Sequence, residues 1–128
     1  MKYMGIDYGE KRIGTAVSDG AGKFAFSRET ILNDTRAVAT ILEQAEAERV
    51  DAFVIGIPET GGEKNPVEHT IRAFAEELGE VSELPVYFQN EHFSSVEATR
   101  FSPDGQKSDA VSAAIILQRY LDANTQTK

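Results

Sequence analysis

Apolar and polar residues recur with two different periods along this chain, and the change of period divides it. Tyr3 to Tyr8 and Arg12 to Ser18 alternate as strands do, and Gly9, Glu10 and Lys11 between them form a short glycine-containing connection suited to a hairpin. Phe24 to Leu32 makes a third strand after the turn at Gly20, Ala21 and Gly22. From Asp34 the apolar positions Val38, Ile41, Leu42 and Ala45 follow helical spacing, with Asn33 or Asp34 available as N-cap. Ala52 to Ile57 is a continuous apolar run ending at Pro58, the pattern of a strand covered on both faces in a parallel sheet.

A loop from Glu59 to Lys64 leads into a second helical pattern. Asn65 serves as N-cap, Pro66 takes the first helical position, Val67, Ile71, Phe74, Ala75 and Leu78 share one face, and Gly79 closes the helix. Val86 to Gln89 reads as a fifth strand, Ser94 to Phe101 as a short helix and Ser108 to Leu121 as a longer one. The order is βββαβαβα, with the short helix before the last. Three meandering strands followed by βα alternation imply an α/β fold, a mixed sheet with helices on its faces. Residues 1–122 form one domain and 123–128 a polar tail expected to fray.

Composition narrows the function classes. At 128 residues the chain is long enough for one core without staples, and the absence of Cys excludes disulfides, thiolate zinc sites and cysteine nucleophiles. No apolar run approaches the length of a membrane span, and no signal-peptide pattern opens the chain, so a cytoplasmic protein without membrane contact is expected. Thirteen Lys and Arg against 21 Asp and Glu give a net charge of −8. A polyanionic partner therefore requires local basic groups or metal ions to offset that field.

One acid stands out against the strand pattern. Alternation puts Tyr3, Gly5, Asp7 and Gly9 on one face of the first strand, and Met4, Ile6 and Tyr8 on the other. An ionised carboxylate buried without partners is prohibitively costly, so Asp7 must meet cations, donors or a solvent-filled cleft. The flanking glycines either leave room for an ion or a substrate backbone, or admit a bend or close helix packing. Glu91 follows the strand Val86 to Gln89 at its C-terminal end, where open α/β sheets place their ligands. Asp109 falls in the first turn of the final helix, on the face that Ser112, Ala113, Ile116 and Tyr120 continue. Each has an ordinary alternative, a surface residue after a strand and an acid at the positive end of a helix.

The arrangement resembles the YqgF family, also called RuvX, whose members are RNase-H-like and are described as Holliday junction resolvases and as pre-16S ribosomal RNA nucleases. The resemblance rests on four stretches in order: "GIDYGEKRIGTAVSD", "VIGIPETGG" followed by "FAEEL", "PVYFQNEHFSSVEA" and "SDAVSAAIILQRYL". It implies an RNase-H-like mixed five-stranded sheet with helices on both faces. It also implies a catalytic and metal-holding triad of Asp7, Glu91 and Asp109, with one or two divalent ions, Mg²⁺ or Mn²⁺, serving phosphodiester hydrolysis. Lys11, Arg12, His92, Ser94, Arg100 and Lys107 are the candidate substrate contacts. Asn90 and His92 depart from the family's usual Asp and Arg, and Ser94 and Ser95 from its threonines. Losing that Arg removes a permanent phosphate donor that His92 replaces only in part.

The implied activity is a metal-dependent, endonucleolytic nuclease processing the 5′ end of the small-subunit ribosomal RNA precursor, with structured RNA as partner and a monomer or homodimer as the working form. Two readings stand beside it: cleavage of four-way DNA junctions, which favours a symmetric dimer, and nucleic-acid binding with weak or lost catalysis. The opening hairpin also resembles the phosphate-binding element of actin-like ATPases and sugar kinases, but those need two related lobes and this chain has length for one.

Overall fold

A computed structural model describes residues 1–58, 66–91 and 109–125. Five strands form one sheet: β1 (Tyr3–Tyr8), β2 (Arg12–Ser18), β3 (Ala25–Leu32), β4 (Ala52–Pro58) and β5 (Val86–Glu91), in the spatial order β3, β2, β1, β4, β5. The first three meander antiparallel, while β4 and β5 add parallel to β1. Among the described residues three helices cover it: α1 (Ala37–Ala47), α2 (Pro66–Ser82) and α3 (Asp109–Thr125). The expected α/β architecture, with helices on both faces, is the one found.

Strand alternation sorts the two cores. Met4 and Ile6 of β1, Ile13 and Val17 of β2, and Phe53, Ile55 and Ile57 of β4 pack against α1 and α2 through Ile41, Ile71, Phe74 and Leu78. Ala16 and Val54, of opposite parity, pack against Ala113, Ile116, Leu117 and Leu121 of α3. Every residue of β4 from Ala52 to Ile57 is buried, as its unbroken apolar run requires. Burying a side chain such as Ile41, Leu78 or Leu117 contributes about 1.5–3 kcal/mol.

Close approach of α3 is what the strand glycines permit. A Cβ on Gly5 would lie 2.7 Å from Leu117 Cβ and 2.9 Å from the Ala113 carbonyl oxygen, and one on Gly56 would lie 2.6 Å from Ile116 Cδ1. A Cβ on Gly9 would stand 2.6 Å from the Arg12 carbonyl oxygen, across the hairpin. Gly5 therefore permits close helix packing and Gly9 a tight bend.

Several element boundaries differ from the periodicity, and the last helix runs to Thr125 rather than stopping at Leu121. α1 begins at Ala37, because Asp34 forms a turn, its carboxylate accepting from Arg36 N at 2.9 Å, and Asn33 donates to the Gly9 carbonyl at 2.7 Å instead of capping. Gly79 lies inside α2, which continues to Ser82 and stops at Glu83, where φ is +60° and the amide returns to the Gly79 carbonyl at 2.9 Å. β5 extends through Glu91, making that acid the last residue of the strand. The short helix Ser94 to Phe101, the loop Glu59 to Lys64 and the Asn65 cap lie outside the described residues.

Candidate functional site

The β1–β2 register places Asp7 directly opposite Gly14. Directly opposed residues point to the same face, and their Cα atoms stand about 4.5–5.5 Å apart. Asp7 therefore faces α3. Gly14 is where that helix begins to touch the sheet: a Cβ there would lie 1.8 Å from the Asp109 carbonyl oxygen and 2.7 Å from Ala110 N. The missing side chain at Gly14 thus lets the first turn of α3 settle one strand away from Asp7. Two acids 102 positions apart in sequence arrive at one place on the sheet through a glycine on a third element.

Two further contacts hold that turn. Thr30 Oγ1 on β3 accepts a hydrogen bond from Ala110 N at 3.2 Å, which satisfies one of the amides that a helix N-terminus leaves open. Arg12 Nε donates to Asp109 Oδ2 at 3.3 Å, with the guanidinium largely exposed and the carboxylate largely covered. Beside Gly14 the β2–β3 ladder slips, so that Arg28 and Glu29 together oppose the single Thr15. The buried Thr15 hydroxyl repairs the gap, donating to the Glu29 carbonyl at 2.9 Å and accepting from Glu29 N at 3.1 Å. Such bulges re-aim the strand around them, and this one adjoins the seat of α3.

Glu91 comes to the same face from the other side. It shares strand parity with Tyr87, whose ring stacks on Tyr120 of α3 at 5.8 Å, and Glu91 itself pairs with α3 through Arg119 Nη1 and Oε1 at 2.5 Å. The carboxylate is almost fully buried, with 6% of its side chain exposed, whereas Arg119 keeps 46%. Ile6, Ile55 and Phe88 lie level across β1, β4 and β5. Asp7 is one residue beyond that level and Glu91 three, two strands over, so their Cα atoms are roughly 12 Å apart. The structure seats the backbone of Asp109 on Gly14, directly across from Asp7, and pairs Glu91 with Arg119. Among the described residues no three acids or histidines stand close enough to share an ion.

The remaining candidates divide simply. Lys11 and Arg12 are exposed at the hairpin beside Asp109. His92, Ser94, Arg100 and Lys107 lie outside the described residues. Gly14, Thr30 and Arg119 belong to the site but were not among its expected members. A signal existed for one of them: glycine within a strand marks a close approach of backbone, without naming what approaches. At the far end of α3, burial followed by the neighbouring Tyr3 and Tyr87 hydroxyls pushes the Tyr120 phenol above its ordinary range, which marks a structural aromatic cluster.

Chemically, the site offers carboxylate oxygens near the C-terminal end of the central strand β1, with the exposed Arg12 guanidinium beside Asp109. That donor set fits a hard divalent cation such as Mg²⁺ or Mn²⁺, which takes oxygen ligands and retains waters. Asp7 and Asp109, gathered at Gly14, are the pair that fits it. No helix among the described residues is long and apolar enough to cross a membrane.

Comparison with known proteins shows the family to which the chain belongs. A family profile described as "RuvX: Holliday junction resolvase" matches residues 1–123. A protein of Nitratidesulfovibrio vulgaris strain DP4 named "Putative pre-16S rRNA nuclease" is 41% identical, the alignment covering 94% of this chain and 93% of that one. Proteins with the same name from Caldanaerobacter subterraneus and Bordetella pertussis are 32% and 35% identical, over 96% of this chain in each case and 97% and 95% of theirs. Among solved structures, Thermus thermophilus RuvC in complex with a Holliday junction substrate superposes with a TM-score of 0.64 at 18% identity, covering 99% of this chain and 97% of that one. The fowlpox virus Holliday junction resolvase superposes with a TM-score of 0.56 at 14% identity, over 96% and 99%. The structural likeness establishes the shared fold.

Proposed function

The chain belongs to the RuvX family, and from that membership together with the seat of Asp109 over Gly14 we propose a metal-dependent endonuclease that processes the 5′ end of the small-subunit ribosomal RNA precursor. The reading is supported by the register that sets Asp7 opposite Gly14 and by the backbone of Asp109 resting on that glycine. A fold that gathers two acids at one point, in a chain already at −8, spends electrostatic energy that a bound cation returns. Asp7 and Asp109 hold the ion, and Glu91 is the third acid of the set. A divalent cation held there would supply the charge needed to activate water and to stabilise the departing oxygen of a phosphodiester.

The chain's own residues do the positioning. Gly14 and Thr30 fix the height of Asp109 above the sheet, and the β1–β2 ladder fixes Asp7 opposite it. Lys11 and Arg12, at the open edge beside Asp109, meet the phosphate backbone and offset the negative field along the approach. His92, Ser94, Arg100 and Lys107 complete the substrate contacts in this reading. One site per cleavage suffices for a structured RNA, so a monomer working in the cytoplasm meets the requirement.

The family description favours a second reading, cleavage of four-way DNA junctions, which needs two sites related by symmetry. Wild type and Asp7→Asn, incubated with a ribosomal precursor leader and with a four-way junction in Mg²⁺, in Mn²⁺ and in chelator, separate the cases. The first reading expects metal-dependent cleavage of the leader that Asp7→Asn abolishes. Cleavage confined to the junction supports the second, and no Asp7-dependent cleavage of either substrate defeats both.

A further inference from the structure

The sheet ends at β3, and the outward edge of that strand is unusually apolar for one left without a neighbouring strand. Phe24 and Phe26 are 60% and 49% exposed. Phe26 pairs with Val17, which belongs to the core under α1 and α2, so by alternation both rings lie on that face of the edge. On the other face Ala25 and Ser27, with Val111, Ala114 and Ile115 of α3, line an open groove of about 540 Å³.

The backbone of this edge is set for a partner strand. Asp19 N donates to the Phe24 carbonyl at 3.0 Å, so Phe24 and Phe26 turn their backbone groups toward β2, and Ala25 and Ser27 turn theirs outward. Gln118 of α3 already uses the outward side: its Oε1 accepts from Ala25 N at 2.9 Å, and its Nε2 donates to the Lys23 carbonyl at 2.9 Å. That side-chain amide stands in for a neighbouring strand, and a strand replaces it bond for bond.

The sequence around Phe26 complements itself. A two-fold axis normal to the sheet keeps every side chain on its own face, so a strand pairing with its own copy is centred on a residue. Centred on Phe26, the stretch Lys23 to Glu29 sets Phe26 against its copy, Ala25 against the partner's Ser27 and Phe24 against the partner's Arg28, and brings Lys23 level with the partner's Glu29. These are an aromatic pair, two small residues, a guanidinium on a ring and opposite charges. No other centre from Phe24 to Arg28 brings opposite charges level, and centring on Arg28 opposes like ones. The Arg28 guanidinium is steadied by Glu48 at 2.8 and 3.2 Å, yet its side chain stays 40% exposed.

We propose that β3 is a self-association edge, at which two copies of this chain pair antiparallel about a two-fold axis at Phe26 and join their sheets into one. The interface uses neither Asp7 nor Asp109. Because the axis is normal to the sheet, both copies keep Asp7 on the same side of it, an arrangement open to either substrate considered above.

The chain has no Cys, so a single introduced cysteine cross-links only to a second copy. Phe26 opposes its copy in a pair without mutual hydrogen bonds, whose Cα atoms stand about 4.5 Å apart, within disulfide reach. Under mild oxidation Phe26→Cys should dimerise covalently about tenfold faster than Val81→Cys, an exposed position on α2. Equal rates overturn the proposal. Sedimentation equilibrium of the wild type should show a monomer–dimer equilibrium with a dissociation constant below about 1 mM, and a protein still monomeric at that concentration overturns it. Lys23→Glu or Glu29→Lys alone brings like charges level and should weaken the dimer about tenfold. Combined, they should return it to within about threefold of wild type. A dimer that neither single reversal weakens, or that the combination does not restore, overturns the proposed pairing.

Discussion

A single methyl group on Gly14 is the sharpest mechanical test of the site. It would stand 1.8 Å from the Asp109 carbonyl oxygen, 2.1 Å from the carbonyl carbon and 2.7 Å from Ala110 N. All three are backbone atoms, so rotating a side chain relieves nothing. To restore even 3.0 Å, the first turn of α3 must retreat by roughly 1.2 Å, carrying Asp109 away from Asp7 and stretching the Thr30 bond. Overpacking of this kind costs about 1–3 kcal/mol, or roughly 4–15 °C in melting temperature for a chain of this size. Displacing a catalytic group by about 1 Å costs about 100-fold in rate. Gly14→Ala should therefore remain folded at 25 °C and cleave the precursor leader about 100-fold more slowly in single-turnover assays. Gly20→Ala, where a Cβ meets nothing within 4 Å, is the matched control and should behave as wild type. In Gly56→Ala the three nearest atoms, at 2.6, 3.1 and 3.4 Å, all belong to the Ile116 side chain rather than to backbone, so it should lower stability while sparing the rate. Cleavage by folded Gly14→Ala within about threefold of wild type would refute the claim that this approach positions Asp109.

Three further outcomes follow from the same geometry. Thr30→Val removes the acceptor for Ala110 N and should cost about 1 kcal/mol by denaturant titration, with a fall in cleavage rate larger than that loss explains. Arg12→Gln should change stability by less than about 1 kcal/mol, while the slope of log affinity for RNA against log salt becomes shallower by about 0.7–0.9, one phosphate contact. Glu48 has its carboxyl held below the usual range, first by the hydrogen bond from Arg28 and then by the nearby charges of Arg28 and Lys2. A depressed acid stabilises the fold above its ordinary value and loses that contribution as pH falls through its folded value. Glu48→Gln should thus lower the melting temperature at pH 7 and match wild type near pH 2, and an equal deficit at both would contradict the assignment.

Local chemistry made most of the fold legible in the sequence. Alternation in Tyr3 to Tyr8 sorted Met4 and Ile6 from Gly5 and Asp7 onto the faces they occupy, because a strand has only two sides and one was apolar. The unbroken run in β4 announced a doubly covered strand for the same reason. Helix ends were less legible: Gly79 reads as a stop, yet the helix runs through it to Ser82 and ends where Glu83 takes a φ of +60° and its amide returns to the Gly79 carbonyl. The role of Gly14 was hidden because the atom it makes room for is 95 positions away, and no local pattern encodes that contact. Arg119 was hidden differently. It sits in a helix whose apolar residues dominate the pattern, and only the register of β5 reveals that an acid waits opposite.

The account stands most directly on whether Asp7 and Asp109 serve one ion. Mn²⁺ binding to wild type, Asp7→Asn, Asp109→Asn and the double variant, measured by electron paramagnetic resonance, decides it. A shared site predicts that each single substitution removes the same bound ion and that the double variant is no worse than either, the non-additivity expected of residues acting as a unit. Wild-type Mn²⁺ binding in either single variant, or two losses that simply add, would contradict it.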